Sequence, residues 1–445
     1  MPSLEVTGEV RRPGGYGAGE RPLWDYYSKC IHCGLCLNAC PTYRELGVEM
    51  DSPRGRIYQM IQVDRGRLPL GESFVRHIDL CLDCRACETA CPSGVEYGRL
   101  VEAARGQIER YYRRPLLDAS LRRLFFRGIL PHRRRLDAVG RILRLYQQFG
   151  LEKLILGSDL LSAVPRQFAN IARLAPRMEK PFFTKMLGKV VRPVGPRRYR
   201  VAFFAGCIAN LSFARLNDAT VRVLARNGCE VVIPAEQGCC GALHVHAGMR
   251  DLARRLARQN ILTFLNEDYD AIITNAAGCG SVLKEYPQLF EEEHREFLTR
   301  AKKFSSRFRD VTEFLAGIDF NRQFRTIKGR ATYQDPCHLG HAQRIRAAPR
   351  KLLGAIPGLE FIELKEAEIC CGSAGIYNVV HNDMAERLLD AKMRRVDQTE
   401  AHLIVTANPG CLLQLRAGVA RSGESGRRRQ VMHVVELLDE AYRER

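Results

Sequence analysis

Seventeen cysteines constrain this 445-residue chain more than any other feature, because of where they fall. Eight lie between Cys30 and Cys91, none between 92 and 206, and nine between Cys207 and Cys411. With 46% apolar residues the chain can bury several cores, so it needs no disulfide staples and is neither a disordered segment nor a small disulfide scaffold. The opening MPSLEVTGEVRRPGGYG lacks the apolar core of a secretory signal, and no apolar run reaches the roughly 18 residues of a membrane-spanning helix. A cytoplasmic location is expected. There thiols stay reduced, and clustered cysteines read as metal ligands.

The first group is one pattern written twice: Cys30, Cys33, Cys36, Cys40-Pro41 and then Cys81, Cys84, Cys87, Cys91-Pro92. Each is C-x2-C-x2-C-x3-C-P, the ferredoxin run, whose first three thiolates reach three corners of an iron–sulfur cube while the fourth ligates the other cube. The spacing therefore predicts two [4Fe–4S] clusters, one on Cys30, Cys33, Cys36 and Cys91, the other on Cys81, Cys84, Cys87 and Cys40. Zinc takes C-x2-C pairs and leaves the third cysteine and the Cys-Pro of each run without a role. Gly34 is expected to let the backbone pass close to a sulfide, with Ala86 in the same loop of the second run. The insert from 41 to 80 is longer than a minimal ferredoxin linker. Ser52 as N-cap, Pro53 in the first turn, and Ile57, Met60 and Ile61 at helical spacing predict a helix there. Arg54 and Arg56 on that helix either donate hydrogen bonds near a cluster or to a partner, or lie solvated on its outer face.

The second group hides a duplication with an offset near 130. YRVAFFAGC (199–207) matches RATYQDPC (330–337), CEVVIPAEQGCCG (229–241) matches LEFIELKEAEICCG (359–372), and AIITNAAGC (271–279) matches HLIVTANPGC (402–411). VAFF, EVVI, AIIT, FIEL and LIVT read as buried parallel strands, with amphipathic stretches such as 217–226 and 251–265 between them, hence two α/β repeats. Each repeated cysteine follows the carboxyl end of a strand, the edge where open α/β sheets gather their ligands. Cys207, Cys239, Cys240 and Cys279 are thus expected to converge in one repeat, and Cys337, Cys370, Cys371 and Cys411 in the other. Each set is a further cluster or redox site; plain buried thiols or a vicinal disulfide are the alternatives. Cys229 has no counterpart and reads as core. His244, His246, His338 and His341 flank these loops as candidate donors to sulfur.

No G-x-G-x-x-G joins a strand to a helix, so no flavin or nucleotide site is expected on this chain. The net charge of +19, carried mostly by Arg, concentrates in part in a basic and apolar middle segment. There Leu136, Val139, Ile142, Leu143 and Tyr146 recur at helical spacing beside Arg141 and Arg144. This pattern fits either an anionic membrane surface or acidic partner, or a linker helix packed on its own protein. Without an aromatic stacking platform, nucleic acid is not an expected partner.

Taken together, Ile31-His32-Cys33-Gly34, Cys40-Pro41-Thr42-Tyr43, Pro53-Arg54-Gly55-Arg56-Ile57-Tyr58, Cys91-Pro92-Ser93-Gly94, Cys371-Gly372-Ser373-Ala374-Gly375 and Thr406-Ala407-Asn408 resemble the iron–sulfur subunit of bacterial glycolate oxidase. That subunit belongs with the cysteine-rich family of anaerobic glycerol-3-phosphate dehydrogenase and heterodisulfide reductase subunits. The resemblance implies an electron-transfer subunit serving a partner flavoprotein that oxidises a 2-hydroxy acid such as glycolate. FAD would lie only on the partner, and electrons would pass to a quinone-type acceptor at the inner face of the membrane. The alternatives are a glycerol-3-phosphate dehydrogenase-type subunit, or a thiol/disulfide reductase working at the Cys-Cys-Gly sites. One departure is plain: where heterodisulfide reductase-like members end each repeat in C-x-x-C, this chain has Val282 and Gln414, so each repeat offers four cysteines. The expected architecture is an α+β multidomain chain, a helical double-cluster ferredoxin domain followed by two tandem α/β cysteine-rich repeats. Its expected parts are an N-terminal tail (1–24), the ferredoxin-type domain (25–112), a basic helical linker (113–196), and the repeats at 197–320 and 321–445.

Overall fold

The computed structural model describes residues 15–151, 176–291, 295–423 and 429–443. The chain forms two compact units: residues up to Ala119 together with Leu243–Arg250, and Ser120–Ala242 together with Asp251–Arg445.

The first unit is helical. As its sequence predicts, Ser52 caps the helix Pro53–Asp64, its hydroxyl accepting from the Gly55 amide at 3.0 Å. The apolar stripe of that helix, Ile57, Met60 and Val63, packs with Phe74, Val75 and Ile78 of Glu72–Asp79 and with Leu100, Val101, Ala104 and Ile108 of Tyr97–Tyr111. Each of these side chains apart from Ala104 contributes on the order of 1.5–3 kcal/mol by leaving water. Residues 15–20, within the segment expected to be a tail, fold onto the last of these helices. The Gly17 amide donates to Gln107 Oε1 at 2.9 Å and the Tyr111 hydroxyl to the Ala18 carbonyl at 2.8 Å. Residues 1–14 lie outside the described residues.

The second unit contains the duplication. Strands β1 (Val190–Val191), β2 (Tyr199–Phe203), β3 (Cys229–Val232), β4 (Ala271–Thr274) and β5 (Phe308–Asp310) form one sheet in the order β1-β3-β2-β4-β5. Strands β6 (Gly329–Tyr333), β7 (Leu359–Ile362), β8 (Leu403–Thr406) and β9 (Gln430–His433) form the other, in the order β7-β6-β8-β9. Apart from the antiparallel edge strand β1, all pairings are parallel. Strands β2 to β5 and β6 to β9 therefore repeat one topology.

The repeat extends further than its cysteines. Asp310-Val311-Thr312-Glu313 and His433-Val434-Val435-Glu436 each close a capping box at the start of the last helix of their repeat. Those last helices are exchanged. Val434–Ala441 packs on Ala214–Arg226 of the first repeat, and Val311–Gly317 packs on Ala347–Leu353 of the second. Arg222 pairs with Asp439 at 2.8 Å across the first of these contacts. The middle helix forms at Arg133–Gln148 and is seated by Leu136 and by Gly140, which lies against Leu211. Its Ile142 and Leu145 remain exposed. Linker residues 152–175 lie outside the described residues. Among the described residues no helix is long and apolar enough to cross a membrane.

Candidate metal centres

All seventeen cysteines are free thiols. In the first unit the two runs adopt one backbone form. His32 and Asp83 are left-handed at φ 56° and 53°, and Gly34 and Arg85 at 85° and 62°. Arg85 thus takes the place of Gly34 in the second run, with Ala86 next to it in the same loop. A non-glycine residue is held in this strained region only when its surroundings over-determine it. Here Arg85 donates to Asp83 at 2.8 Å, Glu88 at 3.1 Å and Glu102 at 2.8 Å. Gly98 makes this possible, since a Cβ there would lie 1.6 Å from the guanidinium carbon.

The cysteines of the two runs interleave. Burial raises the Cys30 thiol, with Cys91 and Cys33 adding to the rise. Burial likewise raises Cys87, and Cys84, Glu88, Cys40 and Cys81 add to it. So the last cysteine of each run lies near the opposite run, the crossing that the ferredoxin pattern requires. Cys36 is pushed up to about 11, chiefly by burial, against a donor from the Arg54 amide in the first turn of helix Pro53–Asp64.

The second run is surrounded by side chains that sequence left undecided or did not reveal. Arg56 is buried: it donates to the His77 carbonyl at 2.7 Å, to Thr42 Oγ1 at 3.1 Å and toward Cys40 Sγ at 4.0 Å. Its charge is answered by Asp51, 3.6 Å away, which also binds His77 Nδ1 at 2.7 Å. The Tyr97 hydroxyl lies 3.7 Å from Cys81 Sγ. Arg54, by contrast, is partly exposed and donates to Glu49 at 2.8 Å and to the His32 carbonyl at 3.0 Å. Both arginines donate beside a cysteine run, Arg56 among the buried sulfurs and Arg54 at the outer carbonyl of His32.

His246 belongs to the first unit and meets the second run at Asp83, between Cys81 and Cys84. Its Nδ1 lies 3.0 Å from Asp83 and 3.5 Å from Glu102, and Arg105 donates to the carbonyls of His246 at 3.1 Å and Cys81 at 2.5 Å. Burial alone would depress His246, but the two carboxylates outweigh it and hold its pKa up at about 9. Asp83 is kept well below the usual carboxylate range by Arg85, His246 and Arg105, despite burial. The histidine thus closes an ion-pair network behind the second run.

In the second unit the eight repeated cysteines gather as two tetrads beyond the strand ends. Cys207 Sγ lies 3.4 Å from Cys239 Sγ, and hydrogen-bond contact continues from Cys239 to Cys240 and on to Cys279. The same order, Cys337, Cys370, Cys371, Cys411, recurs in the other repeat. Gly241 and Gly372 turn the loops at φ 81° and 89°, and their amides donate to Cys239 Sγ and Cys370 Sγ, each at 3.4 Å. A Cβ at Gly372 would meet the Ala385 backbone at 2.5 Å, so only glycine fits. Asn408 touches both tetrads: its amide donates to Cys411 Sγ at 3.4 Å and its oxygen accepts from Gly278, beside Cys279, at 3.2 Å. The positions where a fifth cysteine would stand hold buried Val282 and buried Gln414. His341 donates to the Glu368 carbonyl at 3.2 Å rather than serving a thiol, and His338 lies beside Gly278. Cys229 is fully buried in β3, its thiol pushed up to about 12 by burial, as a core residue should be.

These donor sets fit iron–sulfur ligation. Buried sulfurs that raise one another's pKa repel as thiolates, and iron supplies the positive charge that offsets the repulsion. Amide donors aimed at sulfur are the usual support of such centres.

Comparison with known proteins agrees. A 4Fe-4S dicluster domain matches residues 26–95, and a cysteine-rich domain matches 201–284 and 331–416. Fold and donor sets together define an iron–sulfur protein with a dicluster unit and two cysteine-rich repeats. Residues 117–175 match the linker region of the glycolate oxidase iron–sulfur subunit. The chain is 43% identical over 415 residues, 93% of each chain, to the probable glycolate oxidase iron–sulfur subunit of Bacillus subtilis. It is 32% identical over 418 residues, again 93% of each, to the glycolate oxidase iron–sulfur subunit of Escherichia coli. A lactate utilization protein A of Geobacillus is 32% identical over 241 residues, 54% of this chain and 99% of that protein. The chain belongs to the glycolate oxidase iron–sulfur subunit family, a family of oxidoreductase-complex components with an iron–sulfur electron-transfer role.

Proposed function

We propose that this chain is the electron-transfer subunit of a flavin-dependent glycolate or 2-hydroxy acid dehydrogenase, taking electrons from a flavoprotein partner. The observation that carries the reading is the crossed pair of cysteine runs in the first unit. Cys30, Cys33, Cys36 and Cys91 hold one [4Fe–4S] cluster, Cys81, Cys84, Cys87 and Cys40 the other, and each tetrad of the second unit holds a further cluster. Bound clusters of this kind accept and release single electrons. The protein's own part is to supply thiolates, aim amides at sulfur and exclude water from the second run, with Arg56 and Tyr97 as donors beside Cys40 and Cys81. The names of the relatives support a small 2-hydroxy acid as the electron source. Exposed Leu124, Ile142, Leu145 and Phe149 beside Arg134 and Arg141 support peripheral contact with an anionic membrane, where a quinone-type acceptor would be reached.

The test is anaerobic purification with the flavoprotein partner, followed by addition of glycolate. Bleaching of the cluster absorbance, with at least about eight irons per chain, is expected. Absorbance that responds to dithionite but to neither glycolate nor lactate would remove the assigned donor class.

A further inference from the structure

The two tetrads of the second unit share loops, glycines and backing helices, yet they differ by one buried charge. Gly241 packs on Ala253 of the helix Arg250–Phe264, and Gly372 packs on Ala385 of the helix Asn382–Asp397. Two turns further along each helix, at equivalent places, stand Asn260 and Lys392, both essentially inaccessible to water. In the first repeat the support is neutral. Asn260 donates to the Cys239 carbonyl at 2.9 Å and accepts from the Gly238 amide at 2.9 Å, while the Tyr286 hydroxyl donates to the Cys240 carbonyl at 2.9 Å. In the second repeat the support is a cation. Lys392 Nζ donates to the carbonyls of Glu366 at 2.8 Å and Ala367 at 3.1 Å, just before Cys370-Cys371.

An ammonium buried among neutral carbonyls is strongly unfavourable unless an anion answers it. Lys392 has no carboxylate within ion-pair distance among the described residues. The Glu366 carboxylate pairs with Arg395, and Glu368 acts on Lys392 less strongly than the sulfurs do. Burial, with Arg395, lowers Lys392 to about 8, and the largest anionic influences holding its charge against them are Cys371 and then Cys370.

We propose that Lys392 makes the second tetrad the electron-retaining member of the pair, its ammonium stabilising the more negative, reduced state of the centre held by Cys337, Cys370, Cys371 and Cys411. The step is the uptake of one electron, supplied by the hydroxy-acid donor, with no ligand bond broken. A fixed positive charge beside a centre that gains negative charge raises its reduction potential, and the neutral carboxamide of Asn260 leaves the first tetrad without that gain. This inference rests on the reading of both tetrads as cluster sites.

The test is a redox titration of the anaerobically reconstituted full chain, followed by electron paramagnetic resonance, with iron counted in every sample. Lys392→Gln keeps a donor for the loop carbonyls, as Asn260 does, but removes the charge. It is expected to lower the potential of one tetrad signal by at least tenfold in the reduction equilibrium, about 59 mV for one electron. The other tetrad and both dicluster signals should stay in place, and Lys392→Arg should restore the shifted signal to near its original value. An unchanged potential in an iron-replete Lys392→Gln chain, or an equal shift of both tetrads, overturns the proposal. Failure of Lys392→Arg to restore the potential assigns the shift to packing and overturns it as well. A native chain that carries only about eight irons, undiminished by Cys370→Ser or Cys239→Ser, overturns the cluster reading of the tetrads, and this inference with it.

Discussion

The two cysteine runs of the first unit share one spacing and one backbone form, yet their surroundings are opposite. Ile31 and Leu35 of the first run are 69% and 61% exposed; their counterparts Leu82 and Ala86 are 6% and 3% exposed. Cys33 is exposed where its counterpart Cys84 is buried. Around the first run the donors to sulfur are backbone amides, of His32 and Arg54. Around the second run and Cys40, which crosses to it, side chains take part: Arg56 at Cys40 and Tyr97 at Cys81. Spacing sets the cage in both, but the surroundings divide the labour. The first loop is open to solvent, and the second is held in a dry, hydrogen-bonded setting.

The largest break in this comparison should come from removing a ligand on each side. Cys84→Ala is expected to abolish folding of the first unit, because metal binding energy at a buried site is folding energy, on the order of 10 kcal/mol for a structural metal. Cys33→Ala should lose iron while retaining most of the helical signal. Iron per chain and circular dichroism melts read both. Next in size is the arginine pair. Arg56→Met leaves Asp51 buried without its guanidinium and should cost about 3–5 kcal/mol, against less than about 1 kcal/mol for Arg54→Ala at its partly exposed ion pair. Urea denaturation of the two variants compares them, and equal costs would erase the distinction between the runs.

A third effect is pH-dependent and belongs only to the second run. His246, facing Asp83, Glu102, Arg105 and Arg250, has its pKa raised from 6.5 to about 9. A base whose pKa rises on folding stabilises fully below its unfolded value, so this contribution is complete below about pH 6.5 and is lost as pH climbs through about 9. The shift corresponds to on the order of 3 kcal/mol. Melting temperature should fall between pH 7 and 9.5 in the native chain and much less in His246→Gln. The smallest effect on stability should come from Ile31→Asp with Leu35→Asp, within about 0.5 kcal/mol, as for exposed sites generally. Yet these two changes should slow cluster reduction by the flavoprotein partner about tenfold in stopped-flow absorbance. An undiminished rate would show that exchange does not pass through the first loop.

Much of this was legible before any fold was known, because cysteine ligation is local. The runs, the three repeated segments and the strands β2, β3, β4 and β8 follow from spacing and apolar patterning over a few residues. FIEL was displaced by two residues from the strand at Leu359–Ile362. Strands β5 and β9 were missed because Phe308–Asp310 and Gln430–His433 are short and lack an alternating pattern. Their signal was the shared capping box, Asp310…Glu313 and His433…Glu436, hidden because loops of different length precede it. Arg56 stood in the right motif, but its neighbour Arg54 looked the same in sequence. Only burial by the helices around it separated them.

The sequence by itself marked the candidate ligands: sixteen cysteines in four sets, carried on short loops in the two ferredoxin runs and after the repeated strands. The tertiary structure decided what each set is like. It buried one run and exposed the other, set Lys392 where the first repeat has Asn260, and brought His246 from far along the chain to Asp83. Charge, burial and solvent access are properties of distant segments packed together, and no local spacing encodes them.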